Sequence, residues 1–236
     1  MNGIDLNNVQ LFIFDMDGTL FEGENFWLDL HKEYGTGKDA YDFFKKNRGE
    51  DYKKVFKIMS EKYWKNISAE KYFSLVINRK YNDSVVSLHG FVKSLGIKTA
   101  LISSGPMDLA KRAQADLDID YIYANQLIIW KNRFTGECVV NVDDKKKYQI
   151  ANDLRNKLGL SWSTVGLIGD GENDIEIAKS VGLSISYDSS SQELNEVSSI
   201  VANRSILHDL LKITADSLNV NDHHFNKYDF VQFDVF

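Results

Sequence analysis

The hydrophobic and polar positions divide the chain into two kinds of segment. Val9 to Phe14 is a nearly unbroken apolar run, which predicts one strand buried on both faces. From Glu22 to about Asn82, apolar residues recur at helical spacing and no strand-like run appears. From Val85 onward, strand-like and helix-like segments alternate. Repeated strand–helix units favour an α/β fold, a doubly wound parallel sheet with a small helical insertion after its first strand.

The predicted strands after the insertion are short, and helices lie between them. The strands are expected over 97–102, 121–123, 165–168 and 183–186, with a hairpin formed by 126–130 and 137–141. The helices are expected over 85–95, 107–116, 144–158 and 206–213. We therefore predict an α/β core over residues 1–21 and 84–215. A helical cap would span residues 22–83, and a tail of unassigned role would span residues 216–236.

Composition narrows the class of protein. The 236 residues suit one α/β domain with a modest insertion, and a hydrophobic content of 43% is enough for a sizeable core. The net charge of -6 provides no global basic field, so we expect no nucleic-acid partner. No apolar run reaches about 18 residues and no secretory signal is visible, so we expect no membrane partner. The single cysteine, Cys138, excludes an internal disulfide and favours a cytoplasmic protein.

Two carboxylates, Asp15 and Asp17, follow the first predicted strand. A parallel strand delivers the residues at its carboxyl end to the ligand-binding edge of the sheet, and Gly18 allows a sharp turn there. Two acids this close cost free energy unless a cation neutralises them. Oxygen ligands favour a hard ion, so Mg²⁺ is the predicted cofactor. The alternative is a strand that ends in a polar turn, since Asp and Gly are common turn residues.

Polar side chains also follow two other predicted strands and would reach the same edge of the sheet. Ser103 and Ser104 come after the next core strand, where a hydroxyl and free backbone N–H groups at a helix N-terminus would form an anion site. Asp170 and Asp174 come after a later strand, and flanking glycines let that loop approach a ligand closely. The alternatives are ordinary N-capping by serine and a surface turn with acidic caps.

Lys147 stands at the start of a predicted helix, where the helix dipole disfavours a cation. The mismatch has a reason if the ammonium neutralises phosphate or carboxylate charge. Since Lys145 and Lys146 precede it, the three lysines could equally form a solvated face.

In their order and spacing, these positions resemble the four motifs of the haloacid-dehalogenase superfamily of phosphotransferases. The first motif is matched by residues 15–20, Asp-Met-Asp-Gly-Thr-Leu, and the fourth by residues 169–174, Gly-Asp-Gly-Glu-Asn-Asp. Ser103 matches the hydroxyl of the second motif. Lys147, which lies 170 − 147 = 23 residues before Asp170, matches the third.

Within the superfamily, the chain most resembles the phosphoserine phosphatases. The resemblance to the superfamily covers residues 8–20 and about 85–213. The likeness to phosphoserine phosphatases is carried by the run 120–127, by the hairpin that ends at Gly136 and by the helical cap directly after the first motif.

The resemblance implies a two-step phosphoryl transfer. Asp15 would attack phosphorus in line and form an aspartyl-phosphate. Asp17 would protonate the leaving oxygen and then deprotonate the water that hydrolyses the intermediate. Because Asp17 must carry a proton in the first step, we expect its pKa to be raised in the substrate complex.

The resemblance also implies which groups hold the ion and the phosphate. Mg²⁺ would be held by the Asp15 carboxylate, the Asp17 backbone carbonyl and Asp170. The implied phosphate-binding groups are Ser103, the backbone N–H of Ser104, Lys147 and Asn173, with Asp174 in a supporting role. A small phosphorylated metabolite is the expected partner, and the protein would be a monomer or a homodimer.

The sequence indicates the substrate less closely than it indicates the reaction. In phosphoserine phosphatases a cap glutamate binds the substrate amine, and the matching position is Glu24. An arginine in the cap binds the substrate carboxylate, but residues 49–78 contain no arginine and Ser60 stands near the expected place. Phosphoserine or another small amine-bearing phosphate is the first candidate substrate. The alternatives are a phosphomutase of a small sugar phosphate and a non-catalytic binding protein on the same scaffold.

Overall fold

A seven-stranded sheet organises the residues that the computed structural model describes, which are 3–23, 25–47, 49–143 and 145–218. The strands are β1 (Leu11–Phe14), β2 (Lys98–Pro106), β3 (Tyr121–Trp130), β4 (Arg133–Val139), β5 (Val165–Gly169), β6 (Leu183–Tyr187) and β7 (Ile200–Ala202). Their spatial order is β4-β3-β2-β1-β5-β6-β7, and the pairs are parallel except for the antiparallel β3–β4 pair. The predicted α/β fold with a doubly wound parallel sheet is confirmed, and β4 adds an antiparallel edge.

The helices fall into one group between β1 and β2 and a second group that alternates with the strands. The first group is α1 (Phe26–Glu33), α2 (Gly37–Lys46), α3 (Tyr52–Met59), a π-helical turn (Ser60–Trp64), α4 (Glu70–Asn78) and α5 (Asp83–Ser94). The second is α6 (Met107–Leu117), α7 (Lys146–Lys157), α8 (Ile175–Ala178), α9 (Gln192–Val197) and α10 (Arg204–Ser217), with 3-10 turns at Trp162–Thr164 and Glu172–Asp174. Among the described helices, none is both long enough and apolar enough to cross a membrane.

Strand β1 lies at the centre of the sheet because both of its faces are apolar. Leu11 and Ile13 pack into the hydrophobic core on one face, and Phe12 and Phe14 pack into the core on the other. All four side chains are fully buried, as the unbroken apolar run predicts. Since β1 pairs in parallel with both β2 and β5, the residues that follow these three strands emerge at one edge of the sheet.

The hairpin differs from the sequence-based expectation. The segments expected at 121–123 and 126–130 form one continuous strand, β3, and β4 begins at Arg133 rather than at residue 137. The turn consists of Lys131 and Asn132, which have φ angles of 47° and 58°. Two consecutive residues with positive φ make the two-residue turn that suits a hairpin, so the polar run before Gly136 belongs to the strand.

Other boundaries also differ. The structure contains α9 and β7, which the sequence did not predict, and α10 begins at Arg204 and ends at Ser217. Helix α7 begins at Lys146. The expected helix start at Asp144 and most of the expected tail, residues 219–236, lie outside the described residues. The division into core, cap and tail stays a prediction.

The helices between β1 and α5 enclose a cluster of aromatic side chains. The buried members are Phe26, Trp27, Phe56, Tyr63, Trp64, Tyr72 and, from β4, Phe134. Two chain segments connect this helical region to the sheet, and they run side by side. The Glu22 N–H donates to the Lys80 carbonyl at 2.9 Å, and the Phe21 ring stacks on Tyr81 with centroids 4.3 Å apart. The paired segments fix where the helices sit relative to the carboxyl edge of β1.

Candidate active site

A buried lysine joins two acids that are far apart in the sequence. Lys147 Nζ lies 2.6 Å from Asp15 Oδ1 and 2.7 Å from Asp174 Oδ1. Lys147 and Asp174 are fully buried, and Asp15 is 5% exposed. Burial alone would lower the pKa of Lys147, but the two carboxylates outweigh it and raise that pKa above its ordinary value. The solvated-face alternative for Lys147 is therefore wrong, whereas Lys145 and Lys146 are exposed.

Asn125 connects the carboxyl end of β2 to the chain segment that precedes this lysine. Its Oδ1 accepts hydrogen bonds from the backbone N–H groups of Asn141 and Val142, at 2.8 and 2.9 Å. Its Nδ2 donates to the carbonyls of Ser104 and Val142, at 2.9 and 2.8 Å. The side chain is fully buried, so its amide uses protein groups in place of water. This network fixes the start of the chain segment that leads into α7 against the carboxyl end of β2.

Asp170 completes a cluster of three carboxylates. Oxygen atoms of Asp15, Asp170 and Asp174 lie within 4.8 Å of one another, so they could hold a metal ion. Thr19 Oγ1 donates to Asp170 Oδ1 at 3.0 Å. Gly18 has φ 78°, and a Cβ at this position would lie 2.2 Å from Asp170 Oδ2, so glycine permits both the turn and the close approach.

The charge balance of this cluster favours a divalent cation. Three carboxylates face one ammonium, which leaves uncompensated negative charge at a mostly buried site. Burial, together with the neighbouring carboxylates, raises the pKa of Asp170 to about 8 and that of Asp174 to about 6. The donor set consists of oxygen atoms and no sulfur or imidazole, which fits Mg²⁺.

Asp17 lies apart from the other acids. Its Oδ2 accepts a hydrogen bond from the Phe26 N–H at 3.3 Å, and its Oδ1 lies 3.4 Å from Nη2 of Arg79. Burial raises the pKa of Asp17 to about 7, although Arg79 opposes that shift. The direction agrees with the expectation of an acid that carries a proton in one step. The Asp17 carboxylate is not one of the three clustered acids, so its backbone carbonyl stays the candidate ion ligand.

Ser103 and Ser104 lie within strand β2 rather than at a helix N-terminus. Strand β2 continues to Pro106, so the predicted helix-terminal anion site at Ser103 and Ser104 is displaced from the start of α6. The Ser103 hydroxyl is buried and accepts from the Gly105 N–H at 3.1 Å. A Cβ at Gly105 would meet Met16 Cε first and would lie 3.0 Å from Asp17 Oδ2 and 3.3 Å from Ser103 Oγ, so both polar atoms lie close to Gly105.

The remaining expected residues have different outcomes. Asn173 is half-buried and lies against Gly171, where an added Cβ would be 2.7 Å from its Oδ1. Ser60 is buried in the π-helical turn. Glu24 lies outside the described residues. Sequence reasoning did not find Arg79, which stands one residue beyond the arginine-free stretch 49–78, or Asn125, which lies within the run that carried the family likeness.

The fold and the site define a class of hydrolase. A family model described as haloacid dehalogenase-like hydrolase matches residues 9–182, about three quarters of the chain. The chain therefore belongs to the haloacid dehalogenase-like hydrolases.

Curated relatives narrow the resemblance. A phosphoserine phosphatase from Archaeoglobus fulgidus is 29% identical over 180 residues, which are 75% of this chain and 52% of that protein. One from Streptococcus thermophilus is 28% identical over 183 residues, 75% of this chain and 83% of that protein. The matched region thus spans about half of the first relative and most of the second.

Solved structures share the fold. A structure described as a phospho-aspartyl intermediate analogue of phosphoserine phosphatase has a TM-score of 0.73 at 22% identity, over 86% of this chain and 98% of the other. A probable phosphoserine phosphatase from Vibrio cholerae has a TM-score of 0.74 at 16% identity, over 91% of this chain and 69% of the other. The predicted resemblance to the haloacid-dehalogenase superfamily, and within it to the phosphoserine phosphatases, is confirmed.

Proposed function

We propose that the protein is a Mg²⁺-dependent phosphatase that hydrolyses a small phosphomonoester through an aspartyl-phosphate on Asp15. The observation that carries the proposal is the convergence of Asp15, Asp170 and Asp174 around Lys147 at the carboxyl edge of the sheet. Phosphoryl transfer asks mainly for positioning and for neutralisation of the charge on the equatorial oxygens. A buried ammonium and an oxygen-ligand cation site next to a carboxylate meet both requirements.

In the first step, the Asp15 carboxylate attacks phosphorus while the bond to the leaving oxygen breaks. Asp17 supplies the proton that the leaving oxygen takes up, and its raised pKa supports this role. In the second step, Asp17 accepts a proton from the water that attacks the aspartyl-phosphate, and Asp15 leaves as a carboxylate. Lys147 and the Ser103 hydroxyl stabilise the phosphoryl oxygens in both steps.

The Asp15 and Asp170 carboxylates and the Asp17 carbonyl are the proposed ligands of the ion, with Asp174 beside them. A bound Mg²⁺ would neutralise charge on the phosphoryl group and orient it for in-line attack. Asp174 keeps Lys147 directed at the nucleophile, as its 2.7 Å contact with the ammonium supports. Asn173 is the remaining candidate for contact with the phosphate.

Phosphoserine is the first candidate substrate, because the curated relatives are named phosphoserine phosphatases. The helical region departs from the pattern expected for phosphoserine, since Ser60 is buried where an arginine is expected. We therefore assign the substrate only as a small phosphomonoester. The cytoplasmic location and the oligomeric state stay predictions.

A screen against phosphorylated metabolites, with O-phosphoserine included, tests the proposal. Free phosphate is measured with Mg²⁺ and after chelation with EDTA, beside Asp15→Asn as the inactive control. We expect Mg²⁺-dependent release of phosphate by the unaltered protein. Transfer of phosphate between positions of a sugar, with no free phosphate, would favour a phosphomutase. Absence of both reactions, and of any activity on p-nitrophenyl phosphate, would favour a non-catalytic binding protein.

A further inference from the structure

Arg79 connects the helical region to the acid beside the nucleophile. Its Nη2 lies 3.4 Å from Asp17 Oδ1, and its Nη1 forms an ion pair with Asp29. The side chain is only 9% exposed. Asp17 belongs to the loop after β1, whereas Asp29 lies in the first turn of α1. One buried guanidinium thus joins the carboxyl edge of the sheet to the helices above it.

The surrounding chain provides a defined place for this guanidinium. Arg79 directly follows α4, and its carbonyl accepts a hydrogen bond from Arg112 Nη1 at 2.8 Å. Gly23 leaves room on the other side, because a Cβ there would lie 2.7 Å from Arg79 Nη2. The pairing of Glu22 with Lys80 holds the two connecting segments together. Backbone and side chain of Arg79 are therefore both restrained.

The Asp17 carboxylate is held from both of its oxygens. Arg79 contacts Oδ1, and the N–H of Phe26, the first residue of α1, donates to Oδ2. With these contacts, Oδ2 lies close to Gly105, as does the Ser103 hydroxyl. A general acid transfers its proton well only from within hydrogen-bond reach of the leaving oxygen, so the rotation of this carboxyl group matters for the reaction.

We propose that Arg79, held by Asp29, is a positioning residue that orients Asp17 for proton transfer to the leaving group. The inference rests on the proposed phosphatase activity. In this role Arg79 acts through the carboxyl group of Asp17 and not directly on phosphorus or the leaving oxygen. The Arg79 link to Asp29 and the Phe26 N–H contact both come from the helical region, so docking of these helices on the sheet and alignment of the acid occur together.

A matched pair of substrates separates this role from a structural one. Phenyl phosphate and p-nitrophenyl phosphate differ by one nitro group, but phenolate needs a proton to leave readily and nitrophenolate does not. The kcat/KM value reports the steps up to the first irreversible one, which includes proton transfer to the leaving group. Misplacement of Asp17 therefore lowers kcat/KM for phenyl phosphate more than for p-nitrophenyl phosphate. A smaller fraction of folded enzyme lowers both values equally.

For Arg79→Gln, we expect the ratio of the two kcat/KM values to shift against phenyl phosphate by about tenfold or more, because a positioned general acid contributes about 10²–10⁴-fold. Arg79→Lys keeps the charge but lacks the fork that reaches two carboxylates, so its shift should be intermediate. Asp29→Asn should shift the ratio in the same direction by less. These two milder variants keep the test decisive if Arg79→Gln does not fold.

Arg204→Gln is the matched control. Arg204 pairs with Asp83 and lies within 4.0 Å of Glu22, near the same connecting segments, but its side chain is 57% exposed. This variant should keep the wild-type ratio of the kcat/KM values for phenyl phosphate and p-nitrophenyl phosphate. Equal losses on both substrates in the folded Arg79 and Asp29 variants would overturn the inference and leave the phosphatase intact. No phosphate release by the wild-type protein from either substrate would contradict the proposed function itself.

Discussion

The carboxyl edge of the sheet and the helical region differ in the partners that surround their buried polar groups. At the edge, the Lys147 ammonium meets two carboxylates and the Asp170 carboxylate accepts from a threonine hydroxyl. In the helical region, the buried polar side-chain atoms that have no hydrogen-bond partner among the described residues include His31 Nε2, Ser60 Oγ and Trp64 Nε1. The edge is built around charge, whereas the helical region is built around aromatic packing.

This contrast explains why the sequence predicts the residues of the edge better than it predicts the contacts within the helical region. Parallel strands bring short motifs to one place, so acids at the edge can be assigned a role from their order in the sequence. In the helical region an apolar stripe specifies a helix but not the neighbours of each side chain. Under the proposed function, the edge would carry out the reaction and the packing of the helical region would determine which substrate fits.

The strongest test of the edge is removal of the proposed nucleophile. Asp15→Asn keeps the size of the side chain and an oxygen that can accept from Lys147, but it cannot form the acyl phosphate. We expect the rate of phosphate release to fall by at least about 10⁴-fold, the order of effect seen when a nucleophile is removed. Circular dichroism and thermal unfolding verify that the variant is folded. Turnover within tenfold of wild type would remove Asp15 from the mechanism.

The second test asks whether the edge depends on its buried cation. Lys147→Met leaves the Asp15 and Asp174 carboxylates buried and close together without a counter-charge. We expect the free energy of unfolding to fall by about 3–5 kcal/mol, the usual effect of breaking a buried ion pair. Urea unfolding at pH 7.5 measures the change.

Lys146→Met is the matched control for Lys147→Met, because Lys146 is exposed and pairs with Asp143 at 3.3 Å. Its loss should cost at most about 1 kcal/mol. If the two variants unfold at the same urea concentration, Lys147 is not the electrostatic centre of the edge.

Much of this edge could be predicted from the sequence, because β1, β2 and β5 are nearly continuous apolar runs that end in polar motifs. Asp15, Lys147, Asp170 and Asp174 do meet, although Lys147 precedes Asp170 by 23 positions. The position of Arg79 could not be predicted in this way. Its contact with Asp17 depends on how two connecting segments pair, and no local pattern specifies such pairing.

The hairpin shows the same limit on a smaller scale. A glycine at position 136 favours the prediction of a turn there, but the turn is made by Lys131 and Asn132. Phe134 is buried among the aromatic rings of the helical region. Burial of Phe134 is a tertiary contact that agrees with this register, and alternation along the strand does not reveal it.

The third test uses pH to probe the helical region. His31 is fully buried, donates or accepts through Nδ1 with Thr36 at 2.8 Å and stacks on Trp64. Burial lowers the pKa of His31 from 6.5 to about 4. Because the unfolded chain binds this proton and the folded one does not, stability is fully present above about pH 6.5 and is lost as the pH falls toward 4.

Between pH 7.5 and 5, the pKa shift of His31 should remove about 2 kcal/mol of stability from the wild-type protein. His31→Phe should lack that loss, and the difference between the two proteins cancels the other titrating groups. Thr36→Val should lower stability at every pH through the lost hydrogen bond and keep the slope. The free energy of unfolding is measured by urea unfolding at each pH. If it depends on pH in the same way in the wild type and in His31→Phe, folding does not lower the pKa of His31.

The smallest expected effect is the stabilisation of the folded protein by Mg²⁺, which should depend on residues of the edge and not on residues of the helical region. Mg²⁺ should relieve repulsion among Asp15, Asp170 and Asp174 and stabilise the folded protein. At a free concentration ten times the dissociation constant, the gain is about 1.4 kcal/mol, and it is measured as a rise in the thermal unfolding midpoint without any substrate. Asp170→Asn should abolish most of this rise, because it removes a charged ligand and keeps an oxygen for Thr19. Ser60→Ala, in the helical region, should retain the full rise. An unaltered rise in Asp170→Asn would mean that the ion binds away from the edge, and the division between a charged edge and an aromatic helical region would then fail at its central point.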